Sequence, residues 1–344
     1  MGSGSPGRSF GFLFLCSAML WLLSGMAVAQ TPPQSIPAPP PQKQSEQETI
    51  DTFKIDVSVV NIFFNVKDKH GLLLPNLKKE DFELFEDGQP QKLKYFSAET
   101  NLPLTLGILI DTSGSQQRVL PMEQEVGSEF LKEILREKDL AFVINFDVNV
   151  ELAQDFTSSA KELSRALNRM RINTGGANTG IPGMGGGPIP NNNPRGTALY
   201  DAIFLASDEK LAREVGRKAM ILLTDGEDVG SKLKIQDAIE AAQKSDSICY
   251  VLLIADRGFY GGGYGGDHEM RKLTEETGGR MIDVGSRPDK LKLAFDQIAA
   301  ELRSQYNIGY SPLNQARDGK FRHIEIRTKA GKVQARKGYY APKS

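Results

Sequence analysis

Asp111, Ser113 and Ser115 place a carboxylate and two hydroxyls at alternate positions of Asp111-Thr112-Ser113-Gly114-Ser115. With Gly114 letting the backbone turn sharply, the three oxygens can converge on one hard cation. An oxygen-only set suits Mg²⁺ or Mn²⁺ and argues against zinc. The same residues would also make an ordinary capping turn, so the reading depends on what accompanies them. Arg195-Gly196-Thr197-Ala198-Leu199-Tyr200-Asp201 puts a threonine hydroxyl at the start of an expected helix. Further on, Lys218-Ala219-Met220-Ile221-Leu222-Leu223-Thr224-Asp225-Gly226 is an apolar strand that ends on a carboxylate.

Leu104-Thr105-Leu106-Gly107-Ile108-Leu109-Ile110, directly before Asp111, reads as a buried parallel strand. Strands and helices then alternate, the pattern of a doubly wound, mostly parallel α/β sheet flanked by helices. Val119, Met122, Val126, Phe130 and Ile134 recur at three- and four-residue steps and predict a helix with one buried stripe. Strands are expected at 140–146, 149–153, 218–224, 247–254 and 280–284, and helices at 158–171, 198–213, 232–245, 268–277 and 288–304. In such a sheet the strand ends open on one crevice, where ligands bind. Asp111, Ser113, Ser115, Thr197 and Asp225 are expected to meet there.

Together these segments resemble the von Willebrand factor type A domain, whose metal-ion-dependent adhesion site has the form Asp-x-Ser-x-Ser with a separate Thr and a separate Asp. The resemblance implies hydroxyl ligation by Ser113, Ser115 and Thr197, with Asp111 and Asp225 binding the ion directly or through water. Such a set leaves the ion undersaturated, and Mg²⁺ completes an octahedron with water. A partner's carboxylate could displace one water and gain a direct charge contact in a partly dehydrated cleft. The implied ligand is a protein, matrix or envelope component offering an acidic group. The last helix, 288–304, is the element that family members can shift to alter the site.

The first 29 residues read as a secretory signal: Arg8, an apolar run over 12–23, and Ala27-Val28-Ala29 before Gln30. The run is shorter than the roughly 20 residues of a spanning helix, so no transmembrane segment is expected once it is cleaved. A secreted, periplasmic or cell-envelope location follows. Residues 30–50, rich in Pro and Gln, read as an extended linker. Residues 51–103 read as a small β module, with a bulge at Val59-Val60 and a hairpin over 82–96 turning at Asp87-Gly88. The type A domain is expected over 104–304. Residues 305–344 return to strand periodicity and are expected to pack on the N-terminal module, because a hairpin alone is marginal. The flanks Glu80-Asp81-Phe82-Glu83-Leu84-Phe85-Glu86-Asp87-Gly88 and Lys337-Gly338-Tyr339-Tyr340-Ala341-Pro342 are similar to those of exported bacterial von Willebrand A-related proteins.

Beyond the leader's Cys16, Cys249 is the one cysteine left and reads as a small apolar strand residue. The chain carries 42 basic and 43 acidic residues, a formal charge of −1 that becomes −2 when Arg8 leaves. Near-neutrality gives no support for nucleic-acid binding. Arg322, Arg327, Lys329, Lys332, Arg336 and Lys337 read as a solvated strand face. His70, His268 and His323 lie in no metalloprotease motif, and neither an esterase elbow nor a phosphate-binding loop is present. Glu227 and Asp228 read as caps of the following helix.

Two Gly-rich inserts, 174–196 and 257–267, read as tolerated loop length, or, for the first, as a rim beside the ion. The function expected is non-enzymatic adhesion through the bound cation. The alternatives are metal-dependent hydrolysis and a structural envelope protein whose metal only stiffens the loops.

Overall fold

The computed structural model describes residues 59–98, 102–173, 196–254 and 266–343. The leader, the Pro/Gln-rich linker, residues 51–58 and most of both Gly-rich inserts lie outside the described residues. In chain order, β1 (Val60–Lys67), β2 (Glu83–Glu86), β3 (Gln89–Gln91) and β4 (Leu93–Ala98) come first. The central stretch runs β5 (Leu104–Asp111), α1 (Leu120–Ile134), β6 (Leu140–Phe146), β7 (Val150–Thr157), α2 (Ala160–Arg169), α3 (Leu199–Leu205), β8 (Arg217–Thr224) and α4 (Ile235–Lys244). It continues with β9 (Ser247–Leu253), α5 (Asp267–Thr277), β10 (Met281–Asp283) and α6 (Pro288–Arg303). Four short strands follow: β11 (Tyr306–Tyr310), β12 (Phe321–Arg327), β13 (Lys332–Ala335) and β14 (Gly338–Tyr340).

Every residue of β5 and β8 is buried, as strands covered on both faces by helices must be. The six-stranded sheet has the order β10-β9-β8-β5-β6-β7, parallel except for β7 at its edge. One face packs on α1, α2 and α6 through Leu131, Leu163 and Phe295, and the other on α3, α4 and α5 through Leu199, Ala238 and Leu273. After β5 the chain builds outward first on one side, through β6 and β7, and then on the other, from β8 to β10. This makes β5 the topological switch point, with the C-terminal ends of β5, β6, β8 and β9 on one edge.

Two four-stranded antiparallel sheets, β13-β1-β11-β4 and β14-β12-β2-β3, share an apolar core of Ile62, Phe64, Phe82, Leu84, Tyr306, Tyr310 and Ile324. β11 sits between β1 and β4, and β12 pairs with β2, so segments before and after the parallel sheet interleave. Tyr310 and Tyr339 both donate hydroxyl hydrogen bonds to the buried Glu86 carboxylate, at 2.5 and 3.1 Å.

Several local expectations differ from the structure. The hairpin turns at Asp87 (φ 50°) and Gly88 (φ 78°), but its second strand is β3. β4 crosses to the other sheet, where β11 supplies its partner. β1 begins at Val60 and pairs with β11 without a bulge. The helix expected over 198–213 loosens into a π turn, Ala206–Leu211, where the Ser207 hydroxyl donates to the Ile203 carbonyl at 2.7 Å. Arg322 is buried rather than solvated and is paired with Asp318 at 2.8 Å.

Gly107 lies where β5 meets the buried Phe142 ring: a Cβ there would come within 2.6 Å of Phe142 Cζ. Gly107→Ala is expected to cost about 1–3 kcal/mol through this overpacking, read as a lower urea midpoint. An unchanged midpoint would mean that the ring can retreat.

Candidate metal centre

β5 delivers Asp111 to the sheet edge fully buried, at 0% exposure. Its Oδ1 accepts the Ser113 N–H at 2.9 Å, and its Oδ2 accepts the Thr224 hydroxyl at 2.8 Å. The Ser113 and Ser115 hydroxyls stand 2.9 Å apart, with Ser113 buried and Ser115 exposed. The turn is held from behind as well. Thr112 N donates to the Phe146 carbonyl at 2.8 Å, Thr112 Oγ1 to Asp147 Oδ2 at 3.2 Å, and Gln116 Nε2 to the Ile254 carbonyl at 3.4 Å. The ends of β5, β6, β8 and β9 are thereby tied together.

Asp225, 4% exposed, follows Thr224 at the end of β8 and accepts the Glu227 N–H at 3.1 Å. The chain reverses there through Gly226 at φ +87°, where a Cβ would press within 3.2 Å of Leu253 Cδ1. Thr197 is buried, and its carbonyl accepts the Val229 N–H at 3.2 Å. The next residue, Ala198, donates to the Asp147 carbonyl at 2.6 Å. Thr197 therefore lies between the loop after β6 and the loop after β8.

The loop after β8 is fastened to α3. Asp228 Oδ1 accepts the N–H groups of Leu199 and Tyr200 at 3.0 and 3.3 Å, and Ser231 Oγ accepts that of Tyr200 at 3.0 Å. Asp201 returns the bond by accepting from Lys232 and Leu233. Asp228 thus caps α3, the helix before it in the chain, whereas α4 begins with Asp237 accepting the Lys234 N–H at 2.9 Å. The reason is spatial: the β8 loop ends against the exposed donors at the start of α3.

Two oxygen-bearing groups stand beside these residues without having been expected. Thr224 buttresses Asp111, but a threonine at a buried strand end looks like any strand threonine. Glu123, on the first turn of α1, is fully buried, and neither of its oxygens has a hydrogen-bond partner. The buried stripe of α1 runs through Val119, Leu120, Glu123, Val126 and Phe130, with Met122 only half-buried. An acid at the three-residue step from Leu120 was the available signal.

The electrostatics are those of uncompensated acids. Burial first, then the neighbouring Asp225 charge, pushes the Asp111 carboxyl up from 3.8 to about 7, against the lowering effect of its bonds from Ser113 and Thr224. Burial, then Asp111 and Asp225, raises Glu123 well above the usual carboxylate range. Among the described residues, the charges that act on these two acids are those of other acids. Hydroxyls and carboxylates beside one another, with surplus negative charge and an exposed serine at the rim, fit a hard divalent cation. Among the described residues no set of three or more His, Cys, Asp and Glu side chains is arranged to hold an ion. Any ion here would depend on the hydroxyls.

No family model matches the sequence, and no curated protein matches it. Solved structures do. BatB from Bacteroides thetaiotaomicron is 19% identical, with 58% of this chain and 98% of that chain covered at a TM-score of 0.43. Proximal thread matrix protein 1 from the mussel byssus, with a zinc-occupied MIDAS motif, is 15% identical over 63% of this chain and 50% of that chain, at 0.46. The SpRpn10 VWA domain is 10% identical over 57% and 95%, at 0.39. The likeness is one of fold alone. The strand order and the switch point at β5 make the α/β portion a doubly wound, mostly parallel sheet with the Asp111-x-Ser113-x-Ser115 turn on that point.

The raised Asp111 carboxyl has a consequence for the metal-free protein. The folded state keeps a proton that the unfolded chain releases, so stability falls as pH rises from about 4 to about 7 and for this group levels off above. The slope over that window is that of one proton retained on folding. Urea unfolding in EDTA at successive pH values is expected to show the decline in the wild type and a shallower one in Asp111→Asn. Equal slopes would show that Asp111 ionises as freely folded as unfolded.

Proposed function

We propose that this protein is an exported, non-enzymatic adhesion module of the von Willebrand A-related type. Mg²⁺ or Mn²⁺ held by Asp111, Ser113, Ser115, Thr197 and Asp225 captures an acidic group of a protein, matrix or envelope partner. The observation that carries this reading is the burial of Asp111 and Asp225 at the switch point, with the Ser113 and Ser115 hydroxyls 2.9 Å apart on the turn that follows Asp111. Two adjacent buried carboxylates repel, and a divalent ion between them converts that repulsion into attraction.

The exposed edge at Ser115 supports an opening toward solvent on one side. An ion held there by hydroxyls and at most two carboxylates keeps a coordination position open for an incoming acid. Hydrolysis would require a general base beside the open position, and in this reading both aspartates are committed to the ion. Export rests on the leader and its Ala27-Val28-Ala29 site. No helix among the described residues is long and apolar enough to cross a membrane.

Calorimetric titration with Mg²⁺ and with Mn²⁺ is expected to give single-site binding in the wild type and no measurable binding in Asp111→Ala. Partner capture in a pulldown is expected to disappear with EDTA and to weaken with added free acetate as a competing carboxylate. Capture that survives both EDTA and Asp111→Ala would overturn the reading.

A further inference from the structure

Glu123 is a buried acid that the metal-site motif does not include. Both oxygens are enclosed and unpartnered, and its own N–H is spent on the Val119 carbonyl. Gln116, in the short 3-10 turn that precedes α1, uses Nε2 on the Ile254 carbonyl and leaves Oε1 buried without a donor among the described residues. Among the described residues nothing donates to these three enclosed oxygens. A buried acceptor left unmade is costly, and an acid facing two other acids more so. What is missing is a set of donors carrying positive charge.

Water bound to a divalent cation supplies such donors: Mg²⁺ keeps several waters, and the ion makes their protons more acidic than those of bulk water. Glu123 does not close a three-acid set with Asp111 and Asp225, which argues against its binding the ion directly. We propose that Glu123 is a positioning residue for the metal: its carboxylate accepts hydrogen bonds from metal-bound water. This rests on the proposed metal site. Its charge adds to those of Asp111 and Asp225, favouring a divalent over a monovalent ion, and the waters it fixes leave the solvent side of the ion as the exchangeable one.

The test uses the whole chain with Glu123→Gln, which keeps the shape, and Glu123→Met, which removes the polar group. Mg²⁺ affinity is read by calorimetry, and melting is read in EDTA and in Mg²⁺. Both variants are expected to bind Mg²⁺ about 10–100-fold more weakly, the range seen when outer partners of metal ligands are lost. In EDTA, Glu123→Met is expected to melt at or above the wild type, because an orphaned acid has gone. Affinity and metal-free stability would thus move in opposite directions, which a purely structural role does not produce. Mg²⁺ affinity within twofold of wild type in both variants would overturn this proposal while leaving the metal site standing. A folded wild type that binds no Mg²⁺ at all would overturn the metal site and this proposal together.

Discussion

The register between β5 and β8 is the constraint on which the candidate centre depends. Parallel pairing runs from Leu104 opposite Arg217 to Ile110 opposite Leu223, so the two strands leave the sheet side by side. Asp111 and Thr224 then meet through a direct hydrogen bond, with Asp225 one residue on. Side-chain direction in a strand alternates, so a slip of one residue would turn Thr224 away from Asp111 and put Leu223 or Asp225 in its place. The complete burial of both strands, apolar over Leu106–Ile110 and Ala219–Leu223, secures the pairing, because each must lie between helix layers on both faces. A hydrophobic requirement along the strands thereby determines where charge collects at their ends.

That collection is unfavourable by itself. Asp111 is satisfied in hydrogen-bonding terms, through Ser113 and Thr224, yet the neighbouring Asp225 charge still opposes its ionisation. Hydrogen bonds to neutral donors lower the cost of a buried carboxylate without cancelling its repulsion for another one. The surrounding loops are correspondingly well fastened. Asp228, Ser231 and Asp201 stitch the β8 loop to α3 through backbone N–H groups, and Asp147 links the β6 loop to both Thr112 and Ala198. The fold places the acids together and holds their loops through backbone N–H and hydroxyl donors.

Much of this was legible because polar residues follow apolar runs directly. Asp111 directly follows the run Leu106–Ile110 and Asp225 closes the run Ala219–Thr224, both apolar or small throughout, and strand ends of a parallel sheet share an edge. The unread parts have a common cause, which is that they depend on partners remote in sequence. Leu93–Ala98 alternates like the return strand of a hairpin, and only β11, two hundred residues on, draws it into another sheet. Glu123 looks like a solvent-side acid of an amphipathic helix until the stripe is seen to run through Leu120 and Glu123 instead of Met122. Asp228 sits where a cap for the next helix would sit, yet the nearer unpaired donors in space belong to α3. Local pattern identifies what a residue can do, and long-range packing decides for whom.

The same logic bears on α6, the helix after β10. Its Glu301 is buried and shared: Lys67 of β1 reaches it at 2.9 Å, Arg280 at 2.7 Å, and Gln334 of β13 at 3.1 Å. The Glu301 carbonyl also accepts Asn65 Nδ2 at 2.9 Å, and the Leu302 carbonyl takes a hydrogen bond from Arg217 at the start of β8. A helix carrying one end of such a network cannot slide along its axis without separating a buried acid from two cations, and breaking a buried pair costs several times what a surface pair contributes. Since Lys67, Asn65 and Gln334 all belong to the antiparallel sheets, any displacement of α6 has to carry those sheets with it or break its bonds to them. The antiparallel portion is therefore mechanically part of the domain whose sheet edge bears the acids.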